Sequence, residues 1–315
     1  MKTFFHKAIL FLLLLLAAAL LKANTFALTS ELCYNGVDDN ADGLIDAADP
    51  LCKTITVTTT ADILDGDVSS VENLITNIGP DGAISLREAI AATQSTLSSD
   101  TFYIIGFRLP NYDANHFYYQ EDNVPNQVTV ANKVRTTAID GSNINDSDAD
   151  FPVSWFQFPV NSTLPPLADN VMIDGYDLRQ SQMNNKEFGG ALNTVIRVEI
   201  VATGNFPIFI INEAQAVDNS VVIRGLSLNA SQEILLINGG TKGKVWLCGN
   251  YIGIDPTALM TNPMKRDLIK VSETDRPIII GSNQDGVTDE GEINLIAGID
   301  IEHQAILLNL SLIHI

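Results

Sequence analysis

Four short apolar segments that end in glycine constrain the fold more than any other feature of this chain. Met172-Ile-Asp-Gly175, Val222-Ile-Arg-Gly225, Trp246-Leu-Cys-Gly249 and Leu295-Ile-Ala-Gly298 set their glycines 50, 24 and 49 residues apart. These separations read as two, one and two multiples of a unit of about 24 or 25 residues, which is solenoid periodicity. A second apolar run follows the glycine in Ile234-Leu-Leu-Ile237 and Ala305-Ile-Leu-Leu308, and Pro207-Ile-Phe-Ile-Ile-Asn212 takes the same place near Ile200. Sandwich strands usually alternate polar and apolar residues, whereas Ile278–Ile280 and Ile306–Leu308 are unbroken, as strands buried by stacking are. The expected fold class is all-β, a parallel β-helix over residues 171–315. In it Gly175, Gly225, Gly249 and Gly298 are equivalent, and Ile173, Ile223, Leu247 and Ile296 form an internal ladder. The chain stops at Ile315 inside an apolar run with no closing cap, so this β-helix is expected to be incomplete at its C-terminus.

The earlier chain divides by composition. Thr54–Thr60 alternates β-branched residues and reads as a strand. Ser85 and Glu88 form a capping box, after which Leu86, Ala89 and Ile90 line one helical face. Thr101–Phe107 is a further strand. Residues 54–110 are thus expected to supply an N-terminal helical cap and a first rung. Residues 111–170 fit the period poorly and are read as a loop-rich insertion. Its aromatic groups, Phe117-Tyr-Tyr119 and Trp155-Phe-Gln-Phe158, either stack on sugar rings or pack the loops onto the body.

Ser85, Leu86, Arg87, Glu88 and Ala89, between a Thr-rich strand and the strand after Asp100, resemble the signature of bacterial secreted CSLREA-domain proteins. Ile84 stands where that signature has Cys. Gly249-Asn-Tyr-Ile-Gly-Ile-Asp255 resembles a sequence that recurs in the same proteins. The resemblance implies a right-handed parallel β-helix of the pectin-lyase-like kind. Residues 33–52 are similar to the acidic Cys-x-Asn-Gly-x-Asp-Asp repeats that precede such domains, with Ala47 where those repeats often carry another Cys.

Read from its own residues, the segment 28–53 is a calcium loop between two cysteines. Asp38, Asn40, Asp42, Gly43, Leu44, Asp46 and Asp49 fall at loop positions 1, 3, 5, 6, 7, 9 and 12, the ligand order of a 12-residue Ca²⁺ loop. The expected Ca²⁺ ligands are Asp38, Asn40, Asp42, the Leu44 carbonyl, Asp46 and Asp49. The shorter arm of Asp49 at position 12 points to the weak affinity of extracellular modules. Cys33 and Cys52 are expected to close the loop as a disulfide, leaving Cys248 as a buried thiol.

Residues 1–27 read as a signal peptide, with Lys2 and Lys7 before an apolar run and a cut after Ala27. The run is too short to span a bilayer. A secreted, extracellular or cell-surface bacterial protein with no membrane span in its mature chain is therefore expected. The chain carries a net charge of −20, and the leader removes three lysines and no acid. Such a field disfavours nucleic acid as a partner; the expected partner is a surface glycan or a protein.

Catalytic motifs are sparse. Asp140 and Asp174 sit in Ile-Asp-Gly turns, and Asp-Gly is first a turn signal. Asp300, Glu302 and His303 cluster as weak catalytic candidates, with two carboxylates on one strand face. No paired-acid, phosphate-loop or zinc pattern joins them. The functional expectation is an adhesin-like or structural protein stabilised by Ca²⁺ at its N-terminus. The alternative is a polysaccharide lyase or glycoside hydrolase.

Overall fold

The computed structural model describes residues 33, 34, 37, 38, 40–96, 101–138, 143–167, 170–187, 189–212, 220–240, 243–261, 267–284, 286–298 and 304–309. Three sheets make up the body. The six-stranded sheet runs, in spatial order, through Cys52–Val57, Phe102–Phe107, Val171–Asp174, Ser220–Arg224, Lys244–Cys248 and Ile278–Ile280, with every neighbour parallel. The seven-stranded sheet comprises Leu295–Ile296, Tyr251–Ile252, Ser227–Asn229, Val198–Ala202, Trp155–Val160, His116–Tyr119 and Lys133–Arg135. Ile306–Asn309, Ile269–Ser272, Leu235–Asn238 and Phe209–Ile211 form a four-stranded parallel sheet.

The expected all-β right-handed parallel β-helix is corrected by this arrangement. The described strands are divided among three mostly parallel sheets accompanied by few helices, an α/β-like layout. Two features of the N-terminal half depart from a uniform stack. Helices Val71–Thr76 and Leu86–Ser95 contribute Val71, Leu74, Leu86, Ala89 and Ile90 to the main core, and His116–Tyr119 pairs antiparallel with both Lys133–Arg135 and Trp155–Val160.

The period is also corrected. Val171–Asp174 pairs directly with Ser220–Arg224, so the 50 residues between Gly175 and Gly225 are one step between neighbouring strands, not two. Ile105, Ile173, Ile223 and Leu247 do form a buried row, but its next member is Ile280. Ile296 pairs with Ile252 in the seven-stranded sheet, which takes Gly298 out of the glycine row. The cause is the long connection after Ile280, which carries the 3₁₀ turn Asp289–Glu292 before the chain reaches Leu295.

Each strand of the six-stranded sheet has two working faces. Ile55, Ile105, Ile173, Ile223 and Leu247 point into the main core, while Phe102, Ile104, Met172, Val222, Trp246 and Cys248 form a second apolar surface on the other side. This double burial is why these strands read as unbroken apolar runs. Burying each such side chain contributes about 1.5–3 kcal/mol.

At the corner leaving this sheet, Gly225 and Gly249 have φ of +69° and +62°, a region that favours glycine. The Tyr176 ring fills the space beside them: a Cβ on Gly225 would lie 2.7 Å from that ring, and one on Gly249 2.7 Å from its hydroxyl. Tyr176 Oη donates to the Gly249 carbonyl at 2.6 Å. Asn250, fully buried, donates through Nδ2 to the Ile223 carbonyl at 2.8 Å and accepts from the Leu226 amide at 3.2 Å.

Candidate functional site

Cys33 and Cys52 form a disulfide, and it ties the acidic loop to the first strand of the six-stranded sheet. Tyr34 lies on the sheet's outer apolar surface, its ring 5.4 Å from Phe102 and 5.5 Å from Trp246. The third cysteine, Cys248, is free and buried in the same surface, and burial pushes its thiol up to about 12. It is unsuited to be a nucleophile at neutral pH.

Within the loop the acidic side chains turn back on the backbone. Asp38 accepts from the amides of Asp42 at 3.1 Å and Gly43 at 2.8 Å, Asn40 Oδ1 accepts from the Asp42 amide at 3.0 Å, and Asp42 accepts from Leu44 at 2.8 Å. Gly43 takes φ of +93° and makes the sharp turn that these bonds need. The ends of the loop meet where Asn40 Nδ2 donates to Asp49 Oδ2 at 2.7 Å, while Asp49 Oδ1 accepts from the Leu51 amide at 2.6 Å. Asp46 opens the 3₁₀ turn Asp46–Ala48 on the far side. The donor set is all oxygen, and a left-handed glycine sits at the turn, which fits a hard cation such as Ca²⁺. Among the described residues, however, the acidic triplet whose carboxylate oxygens all lie within 4.8 Å is Glu121, Asp122 and Asp148, outside this loop.

Ser85, Arg87 and Glu88 have structural work. Ser85 and Glu88 close the capping box, and the fully buried Glu88 accepts from the amides of Asp65 at 2.8 Å, Gly66 at 2.7 Å and Ser85 at 2.9 Å. Arg87 makes a two-armed pair with Asp62 at 2.7 and 2.9 Å and also donates to the Thr163 and Ser162 carbonyls. The short motif therefore fastens the helix to two separate loops, 62–66 and 162–163.

The aromatic groups of 111–170 are largely buried. Tyr118, Tyr119, Trp155, Phe156 and Phe158 all lie in the interior, so packing, not sugar stacking, accounts for them. Beneath Tyr119 and Trp155 the outer face of the seven-stranded sheet carries a polar array that sequence reasoning missed. Glu199 accepts from Trp155 Nε1 at 2.9 Å, Gln157 Nε2 at 2.8 Å and Asn229 Nδ2 at 3.2 Å. Asp255 accepts from the Tyr119 hydroxyl at 3.3 Å and the Met260 amide at 3.3 Å, and burial first, with Glu199 adding repulsion, pushes its carboxyl up to about 6. Lys133 lies 4.4 Å over Phe117 and 5.4 Å from Trp155; burial lowers its pKa against the pull of Glu199 and Asp255. The signal was a carboxylate in the apolar run Val198-Glu-Ile-Val201, where alternation sets Glu199 opposite the core.

Asp300, Glu302, His303 and Asp140 lie outside the described residues, as do the leader 1–27 and the tail 310–315. Asp174 caps the turn at Gly175 through the Tyr176 amide and pairs with Arg224 at 2.7 Å. Asp174 and Arg224 line a cleft of about 430 Å³ with Tyr34, Asp46 and Asp177, and two further clefts open along residues 107–113. One cleft of about 440 Å³ is lined by Arg108, Asn111, Asp177, Arg179 and Arg197, and a second of about 600 Å³ by Arg108, Tyr112, Asp81 and Asp113. Tyr112 is 80% exposed, the outlier among the rings of this region.

Comparison with protein-family models, with curated proteins and with solved structures finds no match. Among the described residues no helix is long and apolar enough to cross a membrane.

Proposed function

We propose that this chain is a secreted or cell-surface protein with an adhesin-like or structural role, stiffened at its N-terminal loop by Ca²⁺. The observation that carries this reading is the Cys33–Cys52 bridge closing an all-oxygen loop over the apolar outer surface of the six-stranded sheet. A disulfide persists in an oxidising compartment, and a weak Ca²⁺ loop suits extracellular calcium concentrations. The resemblance of Ser85–Ala89 to the CSLREA signature supports the same location. The binding surface is the stretch around Arg108 and Tyr112, whose exposed ring suits stacking on the sugars of a surface glycan. The buried carboxylates Glu199 and Asp255 are engaged by Trp155 and Tyr119, which weighs against a cleaving role for this pair.

The test is attachment of the full chain to immobilised neutral and acidic polysaccharides, in Ca²⁺ and in chelator, with sugar release measured in parallel. Binding that falls at least tenfold in Tyr112→Ala with Arg108→Ala, without sugar release, is expected. Release of unsaturated or reducing sugars overturns the reading in favour of a carbohydrate-active enzyme. Attachment unchanged by the double substitution removes this stretch as the surface.

A further inference from the structure

The triplet Glu121, Asp122 and Asp148 lies away from the disulfide loop, and two stretches of backbone bring it together. Glu121 N donates to the Asp146 carbonyl at 3.0 Å and Asp148 N to the Tyr119 carbonyl at 2.9 Å, with a bridge between Gln120 and Ser147. One carboxylate oxygen from each of the three residues falls within 4.8 Å of the others.

Most of these oxygens have protein donors. Glu121 accepts from the amides of Asn123 at 2.8 Å and Ala149 at 3.1 Å. Asp122 accepts from the Val124 amide at 2.8 Å and the Thr129 hydroxyl at 2.7 Å, and Asp148 Oδ1 accepts from the Asp150 amide at 2.9 Å. Asp148 Oδ2 is the exception: the residue is 1% exposed and this atom has no hydrogen-bond partner. A buried carboxylate oxygen without a donor is costly, and two neighbouring carboxylates make it more so. None of the ion pairs among the described residues, Lys53–Glu72, Arg87–Asp62 and Arg224–Asp174, reaches the cluster.

We propose that Glu121, Asp122 and Asp148 bind a hard divalent cation, Ca²⁺, as a second site independent of the Cys33–Cys52 loop. Three carboxylates and no nitrogen or sulfur donor select a hard ion. Glu121 is exposed and Asp122 half-buried, which leaves room for the waters that complete a Ca²⁺ shell. The ion would fasten the 121–124 turn to the Asp148 segment. Through Phe151, whose amide bonds to the Asp148 carbonyl and whose ring lies 5.9 Å from Trp155, it would stiffen the cover over Glu199.

Calorimetric titration of chelator-treated full chain with Ca²⁺ tests this, using Asp148→Asn, Glu121→Gln, Asp42→Ala and the pair Asp42→Ala with Asp148→Asn. Loss of one ion per chain in Asp148→Asn, and at least tenfold weaker binding at that site in Glu121→Gln, are expected, with Asp42→Ala leaving the site intact. If the chain binds one ion that is lost in Asp148→Asn and kept in Asp42→Ala, this proposal stands and the disulfide loop is not a Ca²⁺ site. Stoichiometry and affinity unchanged in both Asp148→Asn and Glu121→Gln overturn the proposal, as does an ion still bound at this site in the double variant. Should Asp148→Asn fail to fold by circular dichroism, the solvent-facing Glu121→Gln decides alone.

Discussion

Asn294 repeats, one strand further along the stack, the bond that Asn250 makes: Asn250 Nδ2 reaches the Ile223 carbonyl at 2.8 Å, and Asn294 Nδ2 reaches the Leu247 carbonyl at 2.8 Å. The two side chains also touch, with Asn294 Oδ1 accepting from the Asn250 amide at 2.9 Å and from its Nδ2 at 3.2 Å. The carbonyls involved belong to neighbouring residues of the inner row, and at Leu247 the asparagine shares the oxygen with the Gly281 amide, which donates to it at 2.8 Å.

Asn250→Ala should therefore destabilise the protein by about 2–4 kcal/mol, because it leaves buried donors and acceptors unpaired as well as losing three side-chain bonds. Asn294→Ala should cost less, its side chain being nearer solvent. Chemical denaturation of both variants checks the order, and equal losses would contradict it.

Glu88→Ala should be more damaging than Ser85→Ala. The first strips three amides of their acceptor in a fully buried place; the second removes one cap, usually worth about 1 kcal/mol. A loss of roughly 3 kcal/mol or more is expected for Glu88→Ala, read from urea midpoints at constant slope. Glu88→Gln should recover part of it.

These residues also show what the sequence makes legible. The capping box, the helix face, the Cys33–Cys52 pair and the unbroken apolar strands depend on near neighbours or on composition, and all are readable. Strand partners do not: nothing local to Met172 says that its neighbour is Val222, 50 residues on, so the period was misjudged. Covering is equally non-local. Trp155 and Tyr119 could bind sugar or pack until the chain that buries them is placed, and Glu199 carries no local sign that Trp155 and Asn229 will bond to it. The acids at 38–49 are recognisable by spacing, whereas Glu121, Asp122 and Asp148 converge only through tertiary pairing.

Asp255 gives a pH signature. Its folded pKa, about 6, lies above the ordinary carboxyl value, so the native state holds the proton more tightly than the unfolded one. Its contribution is therefore fully present below about pH 4 and is lost as pH rises through about 6. The loss amounts to roughly 2–3 kcal/mol at most. Asp255→Asn cannot ionise and should lack this decline, so the stability difference between wild type and variant should change between pH 4 and 6 and be constant above. A difference independent of pH would show that Asp255 ionises freely.

Replacing Cys33 and Cys52 together by serine should lower stability by about 3 kcal/mol, the chain-entropy cost of opening a loop of this length. It should also free Tyr34 from Phe102 and Trp246. Trp246 fluorescence should shift to the red in the variant and in reduced wild type, and dye binding to apolar surface should rise. An unchanged spectrum after verified reduction would mean the loop stays seated without its bridge.

The Tyr176 ring bears on how such a chain can change. Strands stack at about 4.8 Å, and this one side chain crosses the Gly225 layer to end on the Gly249 carbonyl, spanning three layers like a gauge laid across them. Because it leans on glycines and a backbone oxygen, it fixes the spacing of three neighbouring strand ends of the six-stranded sheet without regard to the length of the connections between them. The chain spends 50 residues from Gly175 to Gly225 and only 24 from Gly225 to Gly249, yet both steps close to the same spacing. Connections can thus lengthen, shorten or acquire new surface residues while the corner stays in step, which leaves the loops free to diversify and holds Gly225 and Gly249 as glycine.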